Sequence, residues 1–229
     1  MDDPDAKNGN PMRRGDPGGV DLAALESLCR AHAHDGPGDA AHDPAHVARV
    51  VATARRLAVA EGARPDIAIP AAWLHDCVHV PKDSPDRPRA SRLAADRASD
   101  LLAGWGVDPG AIAEIAHAIQ AHSFTAGIPP RTIEAKVVQD ADRLDALGAV
   151  GLARCLALGG AMHRPLYDID DPFCECRPPD DARSSVDHFH TKLLHLAGTM
   201  QTATARAEAL RRTEYLQGFL DELRREIER

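Results

Sequence analysis

The 229-residue sequence contains no run of about 18 consecutive apolar residues, which is the length that a membrane-spanning helix requires. The residues after Met1 show no basic segment followed by an apolar stretch, so we expect no secretory signal. The five cysteines are an odd number, and their spacing matches neither a disulfide framework nor a zinc-knuckle pair. These absences predict a cytoplasmic protein with no membrane partner.

The chain also lacks an excess of positive charge. It has 27 Lys and Arg residues against 35 Asp and Glu residues, which gives a formal net charge of −8 at pH 7. Because such a chain repels phosphate backbones as a whole, nucleic acid is not an expected partner. A small phosphorylated ligand needs only a local basic cluster, so the net charge does not exclude this class of partner. The sequence does not decide between a monomer and a homodimer.

Several catalytic and phosphate-binding motifs are missing as well. The sequence has no GxSxG nucleophile elbow, no GxxxxGK[ST] loop and no GxGxxG loop. A side-chain nucleophile is therefore not indicated. If the protein is a hydrolase, water activated by a metal ion is the simplest mechanism that remains.

Helical periodicity dominates the rest of the sequence. Residues 1–19 are rich in Gly, Pro, Asp and Arg, and we expect a disordered tail there. Residues 20–229 are predicted to form one all-α domain, a bundle of about eight helices. The predicted helices cover residues from 21, capped by Asp21, and then 42–61, 66–76, 90–105, 109–122, 133–147, 149–158, 184–196 and 199–229. Residues 81–91 and 161–183 are predicted loops, and the length of the second one is typical of a functional loop.

Two predicted helices carry ionisable residues within apolar runs. His75 and Asp76 directly follow the run AAWL, and Asp142 is surrounded by valine, alanine and leucine. An ionised carboxylate taken out of water needs a partner or a metal ion. His46 on a third helix supplies a second imidazole. The alternative is that these are surface or satisfied histidines and that Asp140, Asp142 and Asp145 form a solvated acidic face; spacing alone leaves both open.

The order of these residues resembles the HD-domain superfamily of metal-dependent phosphohydrolases. The similar segments are HDPAHVARV, LHDCVHVPKDSP, AHSF, QDADRLDALGAVGLAR and VDHFHTKLLHL, which lie within residues 21–225 and are similar to a bacterial subgroup linked to nucleotide pyrophosphohydrolase activity. The resemblance implies an all-helical fold with a metal ion bound by His46, His75, Asp76 and Asp142. Two imidazoles and two carboxylates suit one borderline divalent ion; Mn²⁺ is favoured, with Fe²⁺, Ni²⁺, Co²⁺, Mg²⁺ or Zn²⁺ as alternatives.

The implied reaction is hydrolysis of a nucleoside triphosphate to a monophosphate and pyrophosphate. The alternatives are a phosphomonoesterase or alarmone hydrolase of the same fold, and a non-catalytic nucleotide-sensing module. Some branches of the superfamily have an acidic pair shortly after the His-Asp pair, where this chain has Val78, His79 and Val80. That departure argues against a general base at this point and against the alarmone hydrolase.

Further site residues follow from charge and position. We expect His122 to transfer protons, since imidazole titrates near neutral pH, and Asp145 to reach the activated water or to orient a ligand. Arg49 and Arg143 are expected to brace carboxylates. Six residues are predicted to contact substrate: Lys82, Lys192, Arg87, His42, Asp43 and Ser123. The alternative for each charged residue is a solvated surface position.

Overall fold

The structure is a computed structural model that describes residues 21–33, 44–80 and 84–227. The predicted tail and three of the predicted substrate residues, His42, Asp43 and Lys82, lie outside the described residues. Within the described ranges the fold is all-α, as predicted, and contains no strand. The α-helices are α1 (Leu22–Ala31), α2 (Pro44–Glu61), α3 (Pro65–Leu74), α4 (Ala90–Gly104), α5 (Pro109–His122), α6 (Ile133–Asp145), α7 (Gly148–Ala161), α8 (Ser185–Thr191) and α9 (Ala203–Ile227). Two 3₁₀ segments cover Arg87–Arg89 and Leu193–Thr199.

Side-chain caps define several helix starts. Asp21 accepts hydrogen bonds from the backbone N–H groups of Ala23 and Ala24, and Asp108 accepts one from Ala111. Thr132 and Ser184 cap α6 and α8 in the same way. Each of these oxygens satisfies an N–H group that has no partner within its helix. The predicted starts of α1 and α5 are thus confirmed.

Helix α3 lies at the centre of the molecule, where it contacts α1, α2, α5 and α6. Every residue from Ile67 to Leu74 is buried, which is the pattern of a core helix that is apolar on all sides. Helix α6 packs against α2, α3, α5 and α9. Polar residues near the ends of these packed helices therefore lie close together beneath the surface.

The start of α3 differs from the prediction. We expected Asp66 to open the helix and Pro70 to fall in its first turn. The helix instead begins at Pro65, a favourable first position for proline, and Pro70 lies in its interior. An interior proline removes one backbone hydrogen bond. Burial of the whole helix in the core accounts for its persistence there.

The end of α7 and the course of α8 also differ from the prediction. Helix α7 continues through Gly159 and Gly160 to Ala161. Gly159 serves close packing, because a Cβ atom there would overlap the Ser185 hydroxyl at the start of α8. Helix α8 ends at Thr191, and Lys192, with φ −137° and ψ −60°, separates it from the 3₁₀ segment. The predicted single helix to Leu196 is therefore two pieces.

None of the helices in the described ranges is by itself long and apolar enough to cross a bilayer. The pair formed by α6 and α7 meets the length and composition criteria when taken together, although the two helices are bent by 64°.

The corner between α6 and α7 depends on Gly151, where a Cβ atom would overlap the backbone carbonyl of Ala146. We expect Gly151→Ala to lower the free energy of unfolding by about 1–3 kcal/mol, since backbone rather than a side chain must move. Gly160→Ala in the same helix is the matched control, because no atom lies within 4 Å of its added Cβ. Urea unfolding measures the free energy of unfolding of both variants, and equal m-values make the two directly comparable. Equal stability of the two variants would contradict the packing described here.

Candidate metal centre

Four segments bring histidine and aspartate side chains together below the surface. His46 lies on α2 and is buried, and Asp142 lies on α6 opposite it. His75 is the residue after the last turn of α3, and Asp76 follows it. His122 is the last residue of α5. The core packing of α2, α3, α5 and α6 thus aims five ionisable groups at one point.

The distances between these groups are short. The His46 Nε2 atom lies 3.4 Å from Asp142 Oδ1, and His75 Nε2 lies 3.9 Å from the same oxygen. His75 Nε2 is also 3.6 Å from Asp76 Oδ2, and His122 Nε2 is 3.7 Å from Asp76 Oδ1. Ligand atoms about 2.0–2.2 Å from one ion lie about 3–4.4 Å from each other, so these separations fit a coordination shell.

His75 carries a buried ring nitrogen that needs a partner. Its Nδ1 lies 2.8 Å from the backbone carbonyl of Ala72, to which it donates. That bond leaves the lone pair on Nε2, which is buried and makes no hydrogen bond with any residue that the structure describes. Burial lowers the pKa of His75 and so keeps the ring neutral. A neutral buried imidazole with an unpaired lone pair has the chemistry of a metal ligand.

Two sets of three ligand atoms meet the distance requirement for a metal ion. One consists of His46, His75 and Asp142, and the other of His75, Asp76 and His122; within each set the atoms lie within 4.8 Å of one another. His75 belongs to both sets. The four residues predicted as ligands are therefore brought together, and His122 lies beside them with its Nδ1 2.6 Å from the Ile119 carbonyl.

The charges of the centre are strongly coupled. Burial would raise the pKa of Asp142, but its hydrogen bond with the His46 ring and the charge of that ring hold the pKa of this carboxyl well below its ordinary value. Burial opposes protonation of His46, yet its bonds to Asp142 and Asp145 outweigh burial and raise its pKa to about 9. A metal ion and this proton compete for the same lone pair.

Asp145 orients His46 from behind. Its Oδ2 lies 2.7 Å from His46 Nδ1 and 2.6 Å from Arg154 Nη1, and Arg49 donates to both oxygens at 2.7 and 3.0 Å. Burial raises the pKa of Asp145, but these partners lower it to about 2. Of the two predicted roles, the geometry favours orienting a ligand, since Nδ1 is held here and Nε2 is aimed at Asp142.

The other residues of α6 have separate roles. Asp140 is fully buried and accepts hydrogen bonds from the Gln201 and Thr202 backbone N–H groups at 2.9 and 2.8 Å, so it holds the start of α9. The alternative of one solvated acidic face is therefore wrong for Asp140 and Asp145. Arg49 donates hydrogen bonds to the Asp145 carboxylate, as expected. Arg143 instead donates a hydrogen bond to the Thr199 backbone carbonyl at 2.7 Å.

A cavity of about 270 Å³ opens above the two carboxylates. Three of the predicted substrate residues, Arg87, Ser123 and Lys192, lie in its wall. Its other lining residues include Arg143, Arg154, Phe124 and Thr125, for which the sequence indicated no cavity-lining role. Arg154 lies in the segment QDADRLDALGAVGLAR, close in sequence to Asp145, and Phe124 lies in AHSF, two residues after His122. This closeness in sequence is the signal that could have indicated a role for both residues in the cavity wall.

Comparison with known proteins shows the family to which the chain belongs. A family model described as the HD domain matches residues 45–147. The uncharacterized protein YpgQ of Bacillus subtilis is 35% identical over 190 residues, which are 81% of this chain and 84% of YpgQ. The structure of B. subtilis YpgQ in complex with ADP has a TM-score of 0.67 at 31% identity, over 90% of this chain and 97% of that chain. An HD-superfamily hydrolase from Bacillus thuringiensis has a TM-score of 0.68 at 34% identity, over 89% and 96%.

The protein therefore belongs to the HD-domain superfamily of hydrolases. Membership implies that it binds a divalent metal ion, and the donor set around His75 fits one.

The contacts of Asp145 generate a prediction about metal affinity. We expect Asp145→Asn to weaken Mn²⁺ binding by roughly 10- to 100-fold, because it removes the charge that orients His46. Isothermal titration of the metal-free protein measures the dissociation constant. Asp96→Asn, an exposed change on α4, is the control. Unchanged affinity in Asp145→Asn would show that His46 does not depend on this carboxylate.

Proposed function

We propose that the protein is a metal-dependent phosphohydrolase that acts on nucleotides, with hydrolysis of a nucleoside triphosphate to a monophosphate and pyrophosphate as the favoured reaction. One observation carries the proposal. Two imidazoles and two carboxylates, His46, His75, Asp76 and Asp142, converge at and directly beneath the floor of a cavity whose wall contains four cationic side chains. These cations are Arg87, Arg143, Arg154 and Lys192.

In this proposal the four converging residues hold one divalent ion, with Mn²⁺ favoured because a mixed nitrogen and oxygen donor set suits a borderline metal. When bound, the ion supplies Lewis acidity toward a phosphoryl oxygen and lowers the pKa of water. Asp145 keeps the Nε2 atom of His46 aimed at the site. The cationic residues of the wall offset the several negative charges of a polyphosphate.

His122 is proposed to move the proton. Its Nδ1 donates to the Ile119 carbonyl, which leaves Nε2 as the atom that faces the cavity and can accept or release a proton. Lys192 and Arg87 are proposed to contact the phosphates, with Ser123 beside them. The ADP complex of YpgQ supports a nucleotide as the ligand class. A cytoplasmic location remains a prediction from the sequence.

Activity with a nucleotide panel tests the proposal. With Mn²⁺, the wild-type protein should release pyrophosphate and a nucleoside monophosphate, identified by phosphorus NMR. His75→Ala and Asp142→Asn should lower the rate by at least about 100-fold, since each removes a ligand, and should also lower the metal content measured by mass spectrometry. His163→Asn is the matched control, because His163 is exposed and asparagine tolerates its φ of 53°.

Each other outcome points to a different function. Activity that survives in His75→Ala would contradict the metal centre. Release of orthophosphate alone would indicate the phosphomonoesterase alternative. Tight nucleotide binding without turnover under any divalent ion would indicate a sensing module.

A further inference from the structure

A second cavity lies beside the metal centre and shares part of its wall. It has a volume of about 240 Å³, and three residues, Phe124, Lys192 and Leu196, line both cavities. Neither cavity alone reaches the about 300–1,000 Å³ that is usual for small-molecule sites, whereas the two joined do. Because they share these three residues, the two cavities are adjacent, and a ligand that occupied both would reach from the carboxylates to Thr199.

The two cavities differ in chemistry. The first is lined by His46, Asp76 and Asp142 and by four cationic side chains. The wall of the second is formed by the Phe124 ring and Leu196, together with the polar residues Thr199 and His195. Its one carboxylate, Asp181, is already engaged by the Thr191 hydroxyl and by the His188 ring at 3.0 Å. The first cavity thus suits an anion, and the second suits a flat, weakly polar group.

Phe124 is the residue that makes the second cavity unusual. Its side chain is 61% exposed, although burying a phenylalanine contributes about 1.5–3 kcal/mol to folding. The Arg143 guanidinium lies 5.7 Å from the ring centroid, and most of the ring stays accessible. An accessible aromatic ring at the mouth of a cationic cavity offers a stacking surface to a planar ligand.

Lys192 joins the two cavities because of the break after α8. Lys192 has φ −137° and ψ −60°, which are not helical values. In a continuous helix to Leu196, its side chain would point in a different direction. In the structure, this lysine lines both cavities, so its ammonium group is available to an anion in either one.

We propose that the second cavity binds the nucleoside part of the substrate, with its base stacked on Phe124 while the polyphosphate extends past Lys192 to the metal centre. This inference rests on the proposed function and adds the residues that recognise a nucleotide as distinct from an inorganic polyphosphate. It assigns Phe124 a role in substrate affinity and none in the hydrolytic step.

Equilibrium binding separates the two parts of the ligand. The α,β-methylene analogue of ATP and inorganic tripolyphosphate are each titrated into the full-length protein with Mn²⁺. In Phe124→Ala we expect the analogue to bind about tenfold more weakly, since a base loses its stacking partner, while tripolyphosphate affinity is unchanged. Phe124→Leu should lose nearly as much as Phe124→Ala, and Phe124→Tyr should retain wild-type affinity.

Tyr215→Ala is the matched control, because Tyr215 is a similarly exposed aromatic residue on α9 that lines neither cavity. Equal weakening of both ligands in Phe124→Ala, or no weakening of the analogue, would overturn the inference. These binding results do not depend on turnover. A protein that binds the analogue through Phe124 but hydrolyses no nucleotide would refute the proposed function and keep the nucleoside site.

Discussion

Burial of one imidazole lone pair is the constraint on which the metal centre depends. His75 directly follows α3, and the last eight residues of that helix are all buried. The His75 ring therefore cannot turn toward water without displacing α3 from the core. The Ala72 carbonyl accepts a hydrogen bond from the Nδ1–H group, which leaves Nε2 without a hydrogen-bond partner among the described residues. A buried polar atom without a partner costs about 1–3 kcal/mol. An arrangement retained at that cost is consistent with a ligand that satisfies the atom when bound.

Helix α6 shows how positions around one helix axis separate three carboxylates that lie within six residues of sequence. Asp140 faces α9 and caps it through Thr202. Asp142 is two residues further round the helix and faces the cavity. Asp145 faces α2, where it meets His46 and Arg49. Asp142 and Asp145 are three residues apart and lie on one side of the helix near His46, whereas Asp140 is two residues from Asp142 and faces another way. The same acidic segment therefore holds α9, contributes to the candidate metal centre and orients His46.

Much of the fold could be predicted because helix caps and apolar periodicity are local signals. The start of α5 at Asp108–Pro109 depends only on such signals, and the proposed ligands from His46 to Asp142 are indicated by a motif and are brought together by the fold. The interior Pro70 and the continuation of α7 past Gly159 could not be predicted, because tertiary packing against neighbouring helices decides them. Arg154 and Phe124 are close in sequence to Asp145 and His122, but the bend between α6 and α7 and the course of the segment after α5 decide that both residues reach the cavity wall.

The acidity of the chain and its proposed polyanionic substrate are compatible because charge acts locally. At physiological ionic strength, interactions between exposed charges are largely screened beyond about 8 Å, so the net charge of −8 has little influence inside the cavity. What the ligand meets there is set by the side chains in the wall, and four of those are cationic. One of them, Arg154, also pairs with Asp145 and thereby links the wall to the orientation of His46. The charge of the proposed substrate and the geometry of the proposed metal ligands are thus linked through one buried carboxylate, Asp145.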